Sequence, residues 1–175
     1  CVLAARLSED PSTQVVLLEA GNDDRPLKAL GQFMSNVMIH VPVGYAQTLK
    51  DPKVNWLYVT DPDTGTGGRQ HVWPRGKVLG GSSSINAMLY VRGQRADYDG
   101  WRQLGCEGWA WDDVFPYFRR AQHQENGVSD DHAIGGPLHV SDVRDKHDVS
   151  EAAIAACEAL GLPRRDLNGP EQEGA

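Results

Sequence analysis

Residues 1–21 read CVLAARLSEDPSTQVVLLEAG, and the order of residue types in this stretch decides the fold. Residues 1–7 are small, apolar or helix-favouring, and residues 8–13 form a polar turn containing Pro11. Val15, Val16, Leu17 and Leu18 then make a continuous apolar run that ends in Glu19. Four residues cannot separate strand from helix by periodicity alone. Bounded by turn signals and rich in β-branched residues, they read as a buried parallel strand. Helix, short turn, buried strand and terminal acid together match the second half of a βαβ dinucleotide-binding unit.

In such a unit a strand and a G-x-G-x-x-G turn stand directly before the helix. The acid that takes the ribose hydroxyls follows about 20 residues after that turn. Glu19 falls at this distance if the last glycine immediately precedes Cys1. The expectation is therefore a chain that begins one residue after the phosphate-binding glycines and lacks the first strand of its sheet. Without that central neighbour the apolar strand loses backbone partners and burial on one edge. These 175 residues alone are then expected to be poorly soluble and catalytically inactive.

Composition narrows the class. With 40% hydrophobic and 23% charged residues the chain is an ordinary globular sequence, long enough for one domain or one domain and part of another. A formal net charge of −7 repels phosphate backbones and argues against nucleic acid as a partner. No apolar run is long enough for a transmembrane helix. Cys1, Cys106 and Cys157 stand far apart with no CxxC pair, which points to reduced thiols and a cytoplasmic-type protein. Downstream, WLYVT (56–60) reads as a strand, residues 64–69 as a Gly/Thr turn, and residues 26–34 as a possible short helix. Two further helices are expected: WDDVFPYFRRA (111–121), with acids first and arginines last, and residues 149–160, closed by Gly161 and Pro163.

The chemistry resides in WPRGKVLGGSSSINAMLYVRGQRADYD (73–99). Gly80 and Gly81 allow a sharp turn and close approach to a ligand. Ser82, Ser83 and Ser84 add hydroxyls and consecutive backbone N–H groups, which can form an anion-binding concavity. Arg75 and Lys77 supply positive charge just upstream. Asn86 both donates and accepts, and apolar Ala87, Met88 and Leu89 follow it. A site for a pyrophosphate and then a flat, partly polar ring wants this series, although a flexible Gly/Ser loop that binds nothing has the same composition. No G-x-x-x-x-G-K-[ST] supports a P-loop, and no G-x-S-x-G supports a serine hydrolase.

This block resembles the first signature of the glucose–methanol–choline oxidoreductases at Gly76, Lys77, Leu79, Gly80, Gly81, Ser82, Ser83, Ile85, Asn86, Tyr90, Gly93 and Asp99. LLEAG (17–21), NWLYVTDP (55–62), GWAWDDVFPYF (108–118), GGPLHV (135–140) and DLNGPEQEG (166–174) are similar to further family landmarks in the expected order. The resemblance is greatest to bacterial choline-dehydrogenase-like members. It implies an α/β chain carrying a partial Rossmann-like FAD-binding fold of a GMC oxidoreductase, lacking the first strand and its GxGxxG turn. Residues 1–110 would belong to the FAD-binding domain, including the signature loop, and residues 111–175 would be a helical and loop region leading into the substrate-binding domain.

The resemblance also implies roles. Glu19 would bond the adenosine ribose hydroxyls. The cofactor-binding set would include Arg75 and the backbone from Val78 through Gly80, Gly81 and Ser82 to Ser83, with Asn86, Ala87, Met88 and Leu89 against the flavin ring. Some members hold FAD covalently through a histidine immediately before the asparagine. Ile85 stands there, so noncovalent FAD is expected. The implied reaction oxidises the CH–OH group of a small alcohol to an aldehyde or ketone, with hydride passing to flavin N5 and oxygen or a quinone-type carrier as final acceptor. The family's catalytic base is a histidine that none of the six histidines here matches, so no catalytic residue is assigned within this chain. A noncatalytic remnant that keeps the FAD-binding segment shares the same features. An NAD-linked dehydrogenase would share Glu19 but would not account for residues 76–99. No metal-ligand spacing occurs among the histidines, and the tryptophans read as packing residues.

Overall fold

The computed structural model describes residues 1–25 and 31–174, which fall into two units, Cys1–Leu89 and Tyr90–Ala175. In the first unit the alanine- and leucine-rich start forms α1 (Val2–Leu7), with Arg6 in the last turn, where the helix dipole favours a cation. The apolar run that follows corrects one expectation. Residues 13–19 join no ladder among the described residues, and Val16 and Leu18 are 80% and 90% exposed. The expected strand thus lacks partners on both edges rather than on one. A lone extended segment has no neighbour to take its N–H and C=O groups or to cover its side chains.

The part of the helix expected at 26–34 that falls on 26–30 lies outside the described residues. The next element, α2, spans Phe33–His40 and is followed by a 3₁₀ turn at Pro42–Gly44 and by α3 (Tyr45–Thr48). WLYVT contributes a shorter strand than expected, β1 (Tyr58–Val59), which pairs antiparallel with β2 (Val72–Trp73), Tyr58 opposite Trp73. The expected Gly/Thr turn between them is held by Asp63, whose Oδ1 accepts from Gly65 N at 2.8 Å. Pairing continues through the Asn55–Gly76 bridge, and Lys77 N donates to Val54 O at 2.8 Å. Buried Asn55 reinforces this crossing. Its Oδ1 accepts from Leu57 N and Arg75 N, and its Nδ2 donates to Leu49 O. The core of the unit is Val54, Val78 and Ile85, with Ile39 of α2 packed against it.

The second unit contains α4 (Arg95–Gln103), α5 (Trp111–Ala121), the parallel pair β3 (Gln122–Gln124) and β4 (Leu138–Val140), and α6 (Asp148–Ala159). The expected helix at 111–121 is α5, residue for residue. Asp113 Oδ2 accepts from Ala110 N at 3.0 Å, and Arg119 and Arg120 occupy the last turn. Pro116 deprives the Asp112 carbonyl of its usual helical donor without ending the helix. At the end of α6, Gly161 N donates to Glu158 O and Leu162 N to Cys157 O, the paired bonds of a glycine-closed terminus. Tyr98 packs edge-on against Trp101 and Phe118, joining α4 to α5. The tryptophans expected as packing residues are less enclosed than that role suggests: Trp56, Trp73, Trp101 and Trp109 are all about half exposed. No helix among the described residues is long and apolar enough to cross a membrane.

Candidate functional site

Two stretches that the sequence singles out separately meet in the first unit. Asn22 and Val78 form a parallel bridge, and Leu79 N donates to Asn22 O at 2.9 Å. Between Glu19 and that bridge lies Gly21, whose N–H donates to Glu19 Oε1 at 2.8 Å. The carboxylate expected at the ribose is thereby held in a tight turn, at the point where its segment joins the signature loop.

The loop after Val78 is built by its own backbone. Gly81 N donates to Val78 O at 2.8 Å, with φ at +102° for Gly80 and +62° for Gly81. Both values lie in the left-handed region that L side chains rarely adopt. The 3₁₀ turn Gly81–Ser84 follows, and Ile85 N donates to Ser82 O at 3.2 Å. Two of the serine hydroxyls serve the loop itself: Ser82 Oγ accepts from Gly76 N, and Ser84 Oγ donates to Leu79 O. Val78 and Ile85 anchor the two ends of the loop in the core, so at Val78 it is backbone, not side chain, that can meet a ligand. Beyond Ile85, Asn86 Oδ1 accepts from Met88 N at 2.8 Å, in a turn that holds Met88 at φ +59°. A non-glycine residue in that region is strained, and strain of this kind gathers at functional sites. Ala87, Met88 and Leu89 are exposed.

A cavity of about 270 Å³ opens against this loop, where Ser83, Asn86 and Met88 face Met38, His40 and Tyr45 from α2, α3 and the turn between them. His40 Nε2 lies 3.0 Å from Asp24 O, which can only accept, so the ring donates from that nitrogen. The α2–α3 wall was not legible in the sequence, because its residues carry no motif and lie far upstream of the loop. The other expected residues, Glu19, Arg75, Val78, Gly80, Gly81, Ser82, Ala87 and Leu89, do not line this cavity. Arg75 turns its guanidinium over the Trp73 ring and donates to Pro74 O. A larger cavity in the second unit, about 720 Å³ with Arg95, Trp111, Asp112 and Arg165 in its wall, contains none of the expected cofactor residues.

Residues 24–175 match the family model described as GMC oxidoreductase. The chain belongs to the GMC oxidoreductase family. It is 45% identical to mitochondrial choline dehydrogenase from Mus musculus, over 99% of this chain and 29% of that protein. It is 43% identical to alcohol dehydrogenase (acceptor) from Pseudomonas putida, over 99% of this chain and 30% of that protein. The structure of pyridoxine 4-oxidase from Mesorbium loti superposes with a TM-score of 0.80 at 35% identity, covering 98% of this chain and 32% of that one. The chain thus spans about 30% of the length of the relatives it matches. GMC oxidoreductases bind FAD, and the mixed helix and sheet seen here is part of their Rossmann-like FAD-binding fold.

Proposed function

We propose that the protein containing this chain is an FAD-dependent oxidoreductase acting on the CH–OH group of a small alcohol, and that this chain supplies part of its cofactor site. The observation that carries the reading is the bridge that sets Glu19–Asn22 beside the Val78–Ser83 loop. On this reading Glu19 takes the adenosine ribose hydroxyls through charge-assisted hydrogen bonds. The backbone of Val78, Gly80, Gly81, Ser82 and Ser83 follows the pyrophosphate, with Arg75 adding positive charge nearby. Asn86, Ala87, Met88 and Leu89 meet the flavin ring, and exposed apolar groups beside an amide suit a flat ring with one polar edge. FAD, when bound, supplies the hydride acceptor. The chain's own residues bind and orient it.

Ile85 packs into the core with Val54 and Val78 and offers no nucleophile, which supports noncovalent attachment. Residues 1–110 are assigned to the FAD-binding domain, and residues 111–175 to a region leading toward the substrate-binding domain. The three free cysteines support a reducing, cytoplasmic compartment. The final acceptor is oxygen or a quinone-type carrier. The test is anaerobic mixing of the purified natural protein with a panel of primary and secondary alcohols. Bleaching of the flavin band by at least one alcohol supports the proposal, with peroxide on readmission of air marking oxygen as acceptor. A flavin that no alcohol reduces, or a protein without flavin, overturns it.

A further inference from the structure

Arg92, only 3% exposed, is a cation enclosed by aromatic rings. Its guanidinium carbon lies 5.7, 5.4 and 5.9 Å from the ring centroids of Tyr90, Phe115 and Phe118. The guanidinium donates to neutral oxygens: Gln122 Oε1 at 2.6 Å, Asp131 O at 2.8 Å and Asn168 O at 3.5 Å. Because a guanidinium only donates, the Gln122 amide must present oxygen to Arg92 and its –NH₂ to the other side. There Gln122 Nε2 meets His132 Nδ1 at 2.9 Å. Nδ1 must therefore be the acceptor, and the ring proton sits on Nε2, which donates to Asp166 Oδ2 at 2.6 Å. One neutral tautomer of His132 satisfies both neighbours.

A second proton on that ring would set N–H against –NH₂. Turning the Gln122 amide over would relieve this only by facing its –NH₂ to the guanidinium, and Gln122 is fully buried. The other groups around His132 do not remove the conflict. Asp166 stays paired with the ring in either protonation state, while the Arg92 charge opposes a second cation. Asp130 and Asp131 precede His132 in its own loop, where Ser129 Oγ accepts from His132 N and Arg119 of α5 donates to Ser129 O.

The network ties two segments together. Asn168 Oδ1 accepts from Arg92 N at 2.8 Å, and its Nδ2 donates to Tyr90 O at 2.9 Å. Asp166 Oδ1 accepts from Asn168 N at 2.8 Å and so orients that residue. We infer that Arg92, Gln122, His132 and Asp166 form a pH-sensitive latch, which holds residues 90–93 against the loop 166–172 and loosens when His132 takes a second proton. Residues 90–93 continue directly from Leu89, so the latch controls the segment that leaves the signature loop. The inference does not depend on which alcohol is oxidised.

Hydrogen exchange measured by mass spectrometry on the natural full-length protein tests it. After correction for intrinsic exchange rates, peptides covering 90–93 and 166–172 exchange about tenfold faster at mildly acid than at neutral pH, the factor for one buried bond left unmade. In His132→Gln the new amide accepts from Gln122, donates to Asp166 and does not titrate, so the acceleration disappears. In Gln122→Glu a carboxylate faces both Arg92 and the imidazolium, so acidification slows exchange instead. Equal acceleration in His132→Gln, an unchanged sign in Gln122→Glu, or a flat response in the unmodified protein overturns the latch. If either variant fails to fold, the other decides.

Discussion

A Cβ built on Gly21 would lie 1.9 Å from the carbonyl oxygen of Lys77, so the backbones of these two residues are in direct contact. No side chain fits between them, and the obstruction is backbone, which cannot swing aside. Glycine at position 21 is therefore what allows the Glu19 turn to dock on the signature loop.

Gly21→Ala follows from this contact. The substitution should destabilise the first unit by about 3 kcal/mol, at the upper end for overpacking a tight contact. A urea titration of the natural protein reads the stability, and flavin content reads the site. A variant with unchanged midpoint and full flavin would show that the two segments part in solution.

Glu19→Gln keeps the shape of the side chain and removes its charge. If the carboxylate bonds the ribose hydroxyls, the FAD dissociation constant rises about 10- to 100-fold, the range for a hydrogen bond to a charged group. Fluorescence titration of apoprotein with FAD measures it. Riboflavin, which lacks the adenosine ribose, should bind both forms equally.

Noncovalent attachment predicts that FAD appears in the supernatant when the holoprotein is precipitated with acid. A yellow pellet would falsify it. Ile85→Ala should leave the attachment unchanged but cost about 2–5 kcal/mol of stability, because Ile85 packs against Val54 and Val78 in the core.

Asp166 gives an acid-side prediction. Partial burial raises its carboxyl, but the bonds from His132 and Asn168 N, the charge that the His132 ring carries when doubly protonated, and the Arg92 charge hold it below the usual carboxylate value. A carboxyl lowered by folding adds stability that is complete above its unfolded pKa and is lost as pH falls through the folded one. Thermal melts of Asp166→Asn should therefore converge with those of the parent as pH drops through the carboxylate range. The gap between them should be fully open once the pH is above the carboxylate range. A gap independent of pH would place the contribution of Asp166 elsewhere.

Elements governed by local chemistry were legible. Helix α5 begins and ends where its acids and arginines stand, and α6 closes at the glycine that accepts a left-handed turn. The loop at 76–89 was legible as a glycine and serine turn followed by an amide and apolar residues. Helix α4 is not legible, since residues 95–99 read as the end of the signature block and 100–103 carry no element signal, although Asp97 Oδ2 accepts from Gln94 N at 2.8 Å at its start. The run at 15–18 reads as a buried strand because β-branched apolar residues favour one, but burial is conferred by neighbours.

The sequence by itself determined the family, the cofactor class and the turn chemistry of the signature loop, because these reside in a contiguous block whose turns close on themselves. Only the tertiary structure decided that Gly21 touches Lys77, that His40 and Tyr45 form the wall opposite Ser83 and Asn86, and that Asn168 clamps Arg92 across 76 positions. Each of these is a choice of partner between distant segments. Such choices are settled by which surfaces pack and which buried donors find acceptors, and no local pattern of residues encodes them.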